Sequence, residues 1–290
     1  MLTMTIVYGF INSAILVVAA LGFNITFGIS GVANFAHGAL YIAAGFLAYL
    51  CLTELHFPYW IAAPSAVIIT GALAAVIYRV VLLRVRGLVV SEVIATFGIG
   101  LAILELFRFL GFVGFEYTLP VFVDASVPLG NTLVDAQRLL VVASGIILTS
   151  FLWFFTHYTK TGLAFRGIAQ DERTALTLGI NADRVAALSM AFGGGYAALA
   201  ALVILPLGTI AVNEGYDVMI NSLAVCIMGG LGSTGGLIAA GFLIGYGQII
   251  TATYLGTHWT MIVSLVAILI ILIVKPSGLF GHQKELEERT

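Results

Sequence analysis

Residues 59–83 read YWIAAPSAVIITGALAAVIYRVVLL, an apolar run in which Arg79 is the one charged position. A helix rises about 1.5 Å per residue, so a run of this length reaches across the ~30 Å hydrocarbon core of a bilayer. Comparable runs occur at 4–22, 37–53, 88–110, 136–157, 186–206 and 259–274. The stretch 218–254 is too long for one crossing, and the glycine-rich segment 229–236 divides it. The 290-residue chain is 61% hydrophobic and 9% charged, against roughly 45–50% and about 25% for soluble domains. So little charge cannot cover a soluble surface, which excludes a cytosolic enzyme, a nucleic-acid binder and a disordered protein. The class is all-α: a polytopic transmembrane helix bundle of about eight or nine spans in a single transmembrane domain, 1–290. The semipolar segment 24–34, with Gly28 and Gly31, is read as a break or re-entrant turn.

The scarce charges are unevenly placed. Arg79, Arg84 and Arg86 follow the third run, Lys160, Arg166, Arg173 and Arg184 lie between the fifth and sixth, and Lys275, Lys284 and Arg289 close the chain. By the positive-inside rule these segments, including the tail 275–290, face the cytoplasm. Glu54, Glu116, Asp124, Asp135, Glu214 and Asp217 mark the opposite side. Counting crossings puts the C-terminus inside and the N-terminus outside, unless 24–34 crosses. No Lys or Arg precedes Arg79, so the basic region of a cleavable signal peptide is missing and the first run is expected to stay as a span. Cys51 and Cys226 lie in apolar runs, which gives neither a disulfide framework nor a metal site. Residues 42–47, IAAGFL, recur letter for letter at 238–243, each copy after a glycine-rich segment. Paired interrupted segments of this kind suggest an internal repeat with its breaks, at Gly28 and Gly31 and at Gly229, Gly230 and Gly232, near a substrate path.

Chemistry in the enzymatic sense is missing. The run Gly229-Gly-Leu-Gly-Ser-Thr-Gly-Gly236 lacks the lysine of a phosphate-binding loop, and no H-E-x-x-H, C-x-x-C or G-x-S-x-G occurs. The chain is therefore expected to be non-enzymatic, with no metal or cofactor of its own. The informative polar segment is 158–185. Residues 169–178 have the composition of a short helix, with Gly179 as the residue that stops it and Asn181 or Asp183 as cap of the next span. Such an element could dock a soluble partner, or it could be an amphipathic connector held to headgroups by its arginines.

Four motifs resemble one family. Gly22-Phe-Asn-Ile-Thr-Phe-Gly28 with Gly31-Val-Ala-Asn-Phe-Ala-His-Gly38 is similar to the N-terminal signature of LivH-type permeases, the membrane subunits of ABC importers for branched-chain amino acids. Thr161-Gly162, Arg166, Ala169-Gln170-Asp171, Ala175 and Gly179-Ile180-Asn181 resemble the family's cytoplasmic motif. Gly229-Gly-Leu-Gly-Ser233 and Pro276-Ser-Gly-Leu-Phe-Gly281 resemble its two late motifs. The resemblance implies a heteromeric importer in a bacterial inner membrane. Its other parts would be a second related permease, two ATPase subunits that bind the ATP and Mg, and a periplasmic solute-binding protein. It also implies that 158–185 holds the coupling helix, with Arg166, Ala169, Gln170, Asp171, Ala175, Gly179 and Ile180 meeting an ATPase. Two departures stand out: Asn221 where many members carry lysine, and Ala200-Ala201 where a small Ala-Gly pair is common.

Polar residues inside spans are costly in lipid and face the bundle or a cavity. Asn34 and His37, three apart, would share a face if helical; they either line the path or satisfy freed backbone at a break. Glu92 and Thr96, one turn apart, suit a gate, an inter-subunit pair or a rim, and Thr96 is also a candidate for the substrate path. Glu105 and Arg108 are spaced to neutralise each other. Asn221 and Ser222, just before the late break, suit either the path or helix-to-helix bonding. Gly193-Gly-Gly195 reads as close helix packing, and Trp60, Trp153 and Trp259 as interfacial belt. A path of apolar, amide and hydroxyl groups suits a small neutral or zwitterionic solute. The competing reading is a stand-alone secondary transporter or channel driven by an ion gradient, for which Glu92 and Glu105 are the available intramembrane acids.

Overall fold

A computed structural model describes residues 2–31, 33–112, 117–129 and 132–281. Glu116, Lys284, Arg289 and the tail beyond Gly281 lie outside them. Two central helices carry the bundle, α1 (Leu2–Ser30) and α9 (Ala182–Ile204), with α2 (His37–Thr53) packed on α9. Around them stand α3 (Tyr59–Ile77), α5 (Val89–Phe109), α6 (Ala136–Tyr158), α10 (Glu214–Gly229), α11 (Thr234–Tyr254) and α12 (Thr260–Val274). Beyond α3 the chain passes through a π-helical stretch, Tyr78–Leu82, into one α-turn, α4 (Leu83–Val85). Two short helices, α7 (Lys160–Gln170) and α8 (Glu172–Thr177), join α6 to α9. Among the described residues, seven helical stretches are long and apolar enough to cross a membrane, and His37–Thr53 is a shorter apolar one. Among the described residues, α2 and the 16-residue α10 stand in the bundle beside these seven, against about eight or nine spans predicted.

Lipid offers no hydrophobic drive for helices to associate, so contact depends on small residues that let backbones approach. The buried face of α9 is largely Ala and Gly. A Cβ on Gly22 would strike the Gly193 carbonyl, and one on Gly194 would lie 3.0 Å from the Thr70 carbonyl, so Gly193-Gly-Gly195 is packing, as its composition implies. The two IAAGFL copies occupy similar stations: both begin within two turns of a helix start, and Gly45 and Gly241 are both positions where a Cβ would hit a neighbouring side chain. In contrast, α12 leaves most of its large apolar side chains exposed, and α6 exposes Ile146, Ile147, Phe151, Trp153 and Phe154, as lipid-facing helices do. A small antiparallel hairpin, β1 (Ser126–Leu129) and β2 (Thr132–Asp135), closes one end of the bundle. It was not read from the sequence. Gln137 ties this end together, receiving the Phe122 N–H at 3.0 Å and donating to the Val203 carbonyl at 3.0 Å.

One break falls elsewhere than predicted. Helix α1 continues through Asn24 and Gly28 to Ser30, so Gly28 is not an interruption; the interruption begins at Gly31, whose φ is +68°. The polar side chains that suggested a break are consumed within the helix or across it. Thr26 and Ser30 donate to the carbonyls four residues back, at 3.0 and 2.6 Å, and Asn24 accepts from the Gly232 N–H at 3.0 Å. The late break is placed as expected, between α10 and α11, with positive φ at Gly230 and Gly232.

Candidate functional site

The four motifs, scattered from residue 22 to 281, meet at the end of the bundle opposite the hairpin. Asn24 bonds Gly232, and a Cβ on Gly28 would lie 2.6 Å from the Gly232 Cα, so the first and third motifs touch backbone to backbone. The fourth pairs with the end of α10: Leu279 N–H donates to the Met228 carbonyl at 2.8 Å and Phe280 N–H to the Gly229 carbonyl at 3.0 Å. Between them and α7 lies a cavity of about 660 Å³, lined by Phe27, Gly28 and Gly31, by Arg166, Ala169 and Gln170, by Leu231, Gly232 and Ser233, and by Pro276, Ser277, Phe280 and Gly281.

The loop read as one helix over 169–178 is two. Thr159 caps α7, accepting the Gly162 N–H at 3.0 Å, and a glycine is needed there because a Cβ would strike the backbone of Phe155 and Thr156. Asp171, extended at φ −151°, ends α7 and starts α8 by accepting the N–H groups of Arg173 and Thr174 at 2.9 and 3.2 Å. An N-cap side chain needs non-helical backbone at its own residue, so a helix cannot run through it. Hydrogen bonds from Thr174, first its hydroxyl at 2.5 Å and then its N–H, hold the Asp171 carboxyl below the usual carboxylate range. Gly179 follows α8 at φ +81° and Asn181 caps α9 through the Arg184 N–H at 2.9 Å, both as the spacing implied.

Of the residues that hold the pair of short helices to the bundle, Phe165 and Ile168 were not among the predicted ones, whereas Ala175 and Ile180, predicted to meet an ATPase, are turned inward with them. Phe165 and Ile168 on α7 form a small core with Ala175, Ala182 and Val185, and Ile180 packs at its edge. Phe165 meets Phe155 of α6 and Phe192 of α9 with ring centroids 5.8 Å apart in each case, while Phe155 and Phe192 lie 4.7 Å apart. The i, i+3 spacing of Phe165 and Ile168 carried that signal. Arg166, Ala169 and Gln170 point to the cavity instead.

Asn34 and His37 are both buried but do not share a helical face, because α2 begins only at His37. Asn34 accepts the Ala36 N–H at 3.1 Å, an Asx-type turn, and His37 Nε2 lies 2.8 Å from the Ala19 carbonyl. Thr96 joins them: its hydroxyl accepts from the Phe35 N–H at 3.2 Å and lies 3.2 Å from the Ala33 carbonyl. These three therefore brace the interruption between α1 and α2. Glu92, buried on α5, accepts the Gly87 N–H at 2.8 Å. Glu105 and Arg108 pair at 2.5 Å, as their spacing implied, and Arg108 also donates to Asn213.

Asn221 is drawn into a polar cluster that joins four helices. Its Oδ1 accepts from Gln248 Nε2 at 3.1 Å and from Ser264 Oγ at 2.7 Å, and Gln248 Oε1 accepts from Asn12 Nδ2 at 3.0 Å. Its neighbour Ser222 is buried with an unpartnered hydroxyl. Among the described residues, no group of three His, Cys, Asp or Glu is placed to hold a metal.

A family profile described as "Branched-chain amino acid transport system / permease component" matches residues 5–272. The "high-affinity branched-chain amino acid transport system permease protein LivH" of Salmonella typhimurium is 27% identical over 91% of this chain and 90% of its own length. BraD of Pseudomonas aeruginosa, with the same descriptive name, is 25% identical over the same shares. The "probable branched-chain amino acid transport permease protein LivH" of Methanocaldococcus jannaschii is 25% identical over 93% of this chain and 90% of its own. Among solved structures, "PsaBC from Streptococcus pneumoniae in complex with Fab" shares the fold, with a TM-score of 0.53 at 12% identity over 95% of this chain and 94% of that one. With four motifs converging on one end of a polytopic helical bundle and the profile spanning almost its whole length, the chain belongs to the family of branched-chain amino acid transport permeases.

Proposed function

We propose that this chain is the membrane-spanning, non-catalytic subunit of an ATP-driven ABC importer in a bacterial inner membrane, and that it moves a branched-chain amino acid or a similar small neutral or zwitterionic solute by alternating access. ATP and Mg are bound by two separate ATPase subunits. A second, related permease completes the path, and an external binding protein delivers the solute. The end bearing α7, α8 and the segment 275–281 is cytoplasmic. The names of the relatives support the solute class.

The observation that carries this reading is the pair α7–α8. Its apolar side is packed on α6 and α9 through Phe165 and Ile168, while Arg166, Ala169 and Gln170 line a cavity shared with the ends of α1, α10 and the segment 276–281. An ATPase pressing on Arg166, Ala169, Gln170, Asp171 and Gly179 would move an element that packs on α1 and shares a cavity with the α10–α11 interruption, while Ala175 and Ile180, packed inward, would transmit the push to α6 and α9. Glycines at Gly31, Gly230 and Gly232 provide the bends, and Gly28, Gly229 the close approaches. Asn34, His37 and Thr96 are assigned to the hinge beside the path, Ser222 to the path, and Asn221 to holding helices together.

Reconstitution in proteoliposomes with the ATPases and the binding protein tests this. Leucine uptake should require ATP. Arg166→Ala and Asp171→Ala should each lower solute moved per ATP hydrolysed at least several-fold while leaving membrane insertion intact. Uptake by this chain alone, driven by a proton or sodium gradient, would replace the reading with a stand-alone secondary transporter.

A further inference from the structure

Four ion pairs link described residues, and two of them, Glu105–Arg108 and Asp135–Arg138, are local i, i+3 pairs. The other two both belong to Arg86, in the turn after α4, and both join it to distant elements: Glu172 in the first turn of α8 and Asp183 in the first turn of α9. Arginine suits such a double contact because its planar guanidinium presents several donors in a fixed fork. The bridge crosses a gap. A cavity of about 620 Å³ separates α8 from the π-helical stretch at Tyr78 and the start of α5, so motion of the short helices does not reach α5 there by packing.

Arg86 is also one end of a continuous polar chain. The next residue, Gly87, donates its N–H to Glu92 at 2.8 Å; Glu92 lies one turn from Thr96, whose hydroxyl is 2.9 Å from the Glu92 carbonyl; and Thr96 holds the Phe35 N–H of the interruption between α1 and α2. We propose that Arg86 is a positioning residue that couples α8 and the start of α9 to the α1–α2 interruption through Gly87, Glu92 and Thr96, a second route beside the packing of α7. This rests on reading α7–α8 as the element an ATPase moves. The pairs are half exposed, where solvent screening leaves an ion pair little net stabilisation, so the role is geometric and stability should change little.

The test uses the complete transporter in proteoliposomes, reading solute moved per ATP. Arg86→Gln should lower that ratio at least threefold with ATP hydrolysis within twofold of the parent, and Arg86→Lys, which keeps the charge but not the fork, should fall between. Combining Arg86→Gln with Glu92→Ala, which removes the acceptor of the Gly87 N–H, should be no worse than the poorer single variant, since both cut one chain. Should Arg86→Gln fail to assemble, the pair Arg86→Cys with Asp183→Cys answers within one folded protein: a short reducible bifunctional thiol reagent should raise the ratio, and reduction should lower it again. An unchanged ratio in Arg86→Gln, or no gain on cross-linking, overturns the link when Asp171→Ala still uncouples the same preparation. If Asp171→Ala has no effect either, it is the coupling role of α7–α8 that fails.

Discussion

Asp171 belongs to two helices at once. Its N–H closes α7 on the Gly167 carbonyl at 3.0 Å, and its carboxylate opens α8. Because the folded carboxyl is held below its ordinary value by Thr174, the stabilisation it gives is complete above the unfolded pKa, about 3.9, and is lost as pH falls through the lowered folded value. Thermal unfolding of the parent and of Asp171→Ala should therefore differ by a constant amount between neutral pH and about pH 5, with the variant the less stable. The gap should close in stronger acid. A gap that widened with acid would mean that the carboxylate is strained in its site.

At the scale of elements, the bends are set by backbone that only glycine tolerates. Gly230 sits at φ +97° with its α-carbon face against Gly281. Gly230→Ala should cost roughly 1–3 kcal/mol from the φ alone, and more from the clash with the segment 276–281, which should become open to proteolysis; limited digestion with mass spectrometry would show it. Much of this level was legible in the sequence, because apolar length fixes spans and clustered glycine fixes breaks. The late interruption, the Glu105–Arg108 pair and the Gly179–Asn181 helix boundary all follow from spacing alone. Gly28 did not, since whether Asn24 breaks a helix depends on Gly232, more than two hundred residues away. The split of α7 from α8 turned on Asp171 acting as a cap where composition alone allowed a continuous helix. Asn221 and Gln248 could not be paired from sequence, because their bond lies between α10 and α11 and is set by how those helices face each other.

At the scale of the whole molecule, the two ends differ: one carries the short helices and the four-motif junction, the other the hairpin and Gln137. Leu178 and Phe122 are exposed at these opposite ends, and Cys51 and Cys226 are buried. With an impermeant thiol reagent on intact cells, Phe122→Cys should label at once and Leu178→Cys only after the membrane is opened; the reverse order would invert the proposed orientation. The π-helical stretch Tyr78–Leu82 bears on the same geometry through phase. A π turn holds one residue more than an α turn, and each residue of an α-helix advances the azimuth by about 100°. Everything after Leu82 is thus rotated by about that angle from where a uniform helix would send it, and Arg86 faces Glu172 and Asp183 in consequence. The segment should then tolerate substitution better than a change in length. Deleting a single residue within 78–82 would let the helix relax to regular α geometry, apolar and lipid-compatible as before, yet swing the guanidinium away from its two carboxylates. A deletion scan that spares membrane insertion but lowers solute moved per ATP at these five positions would show that the register of this helix, more than its composition, is what the rest of the molecule reads.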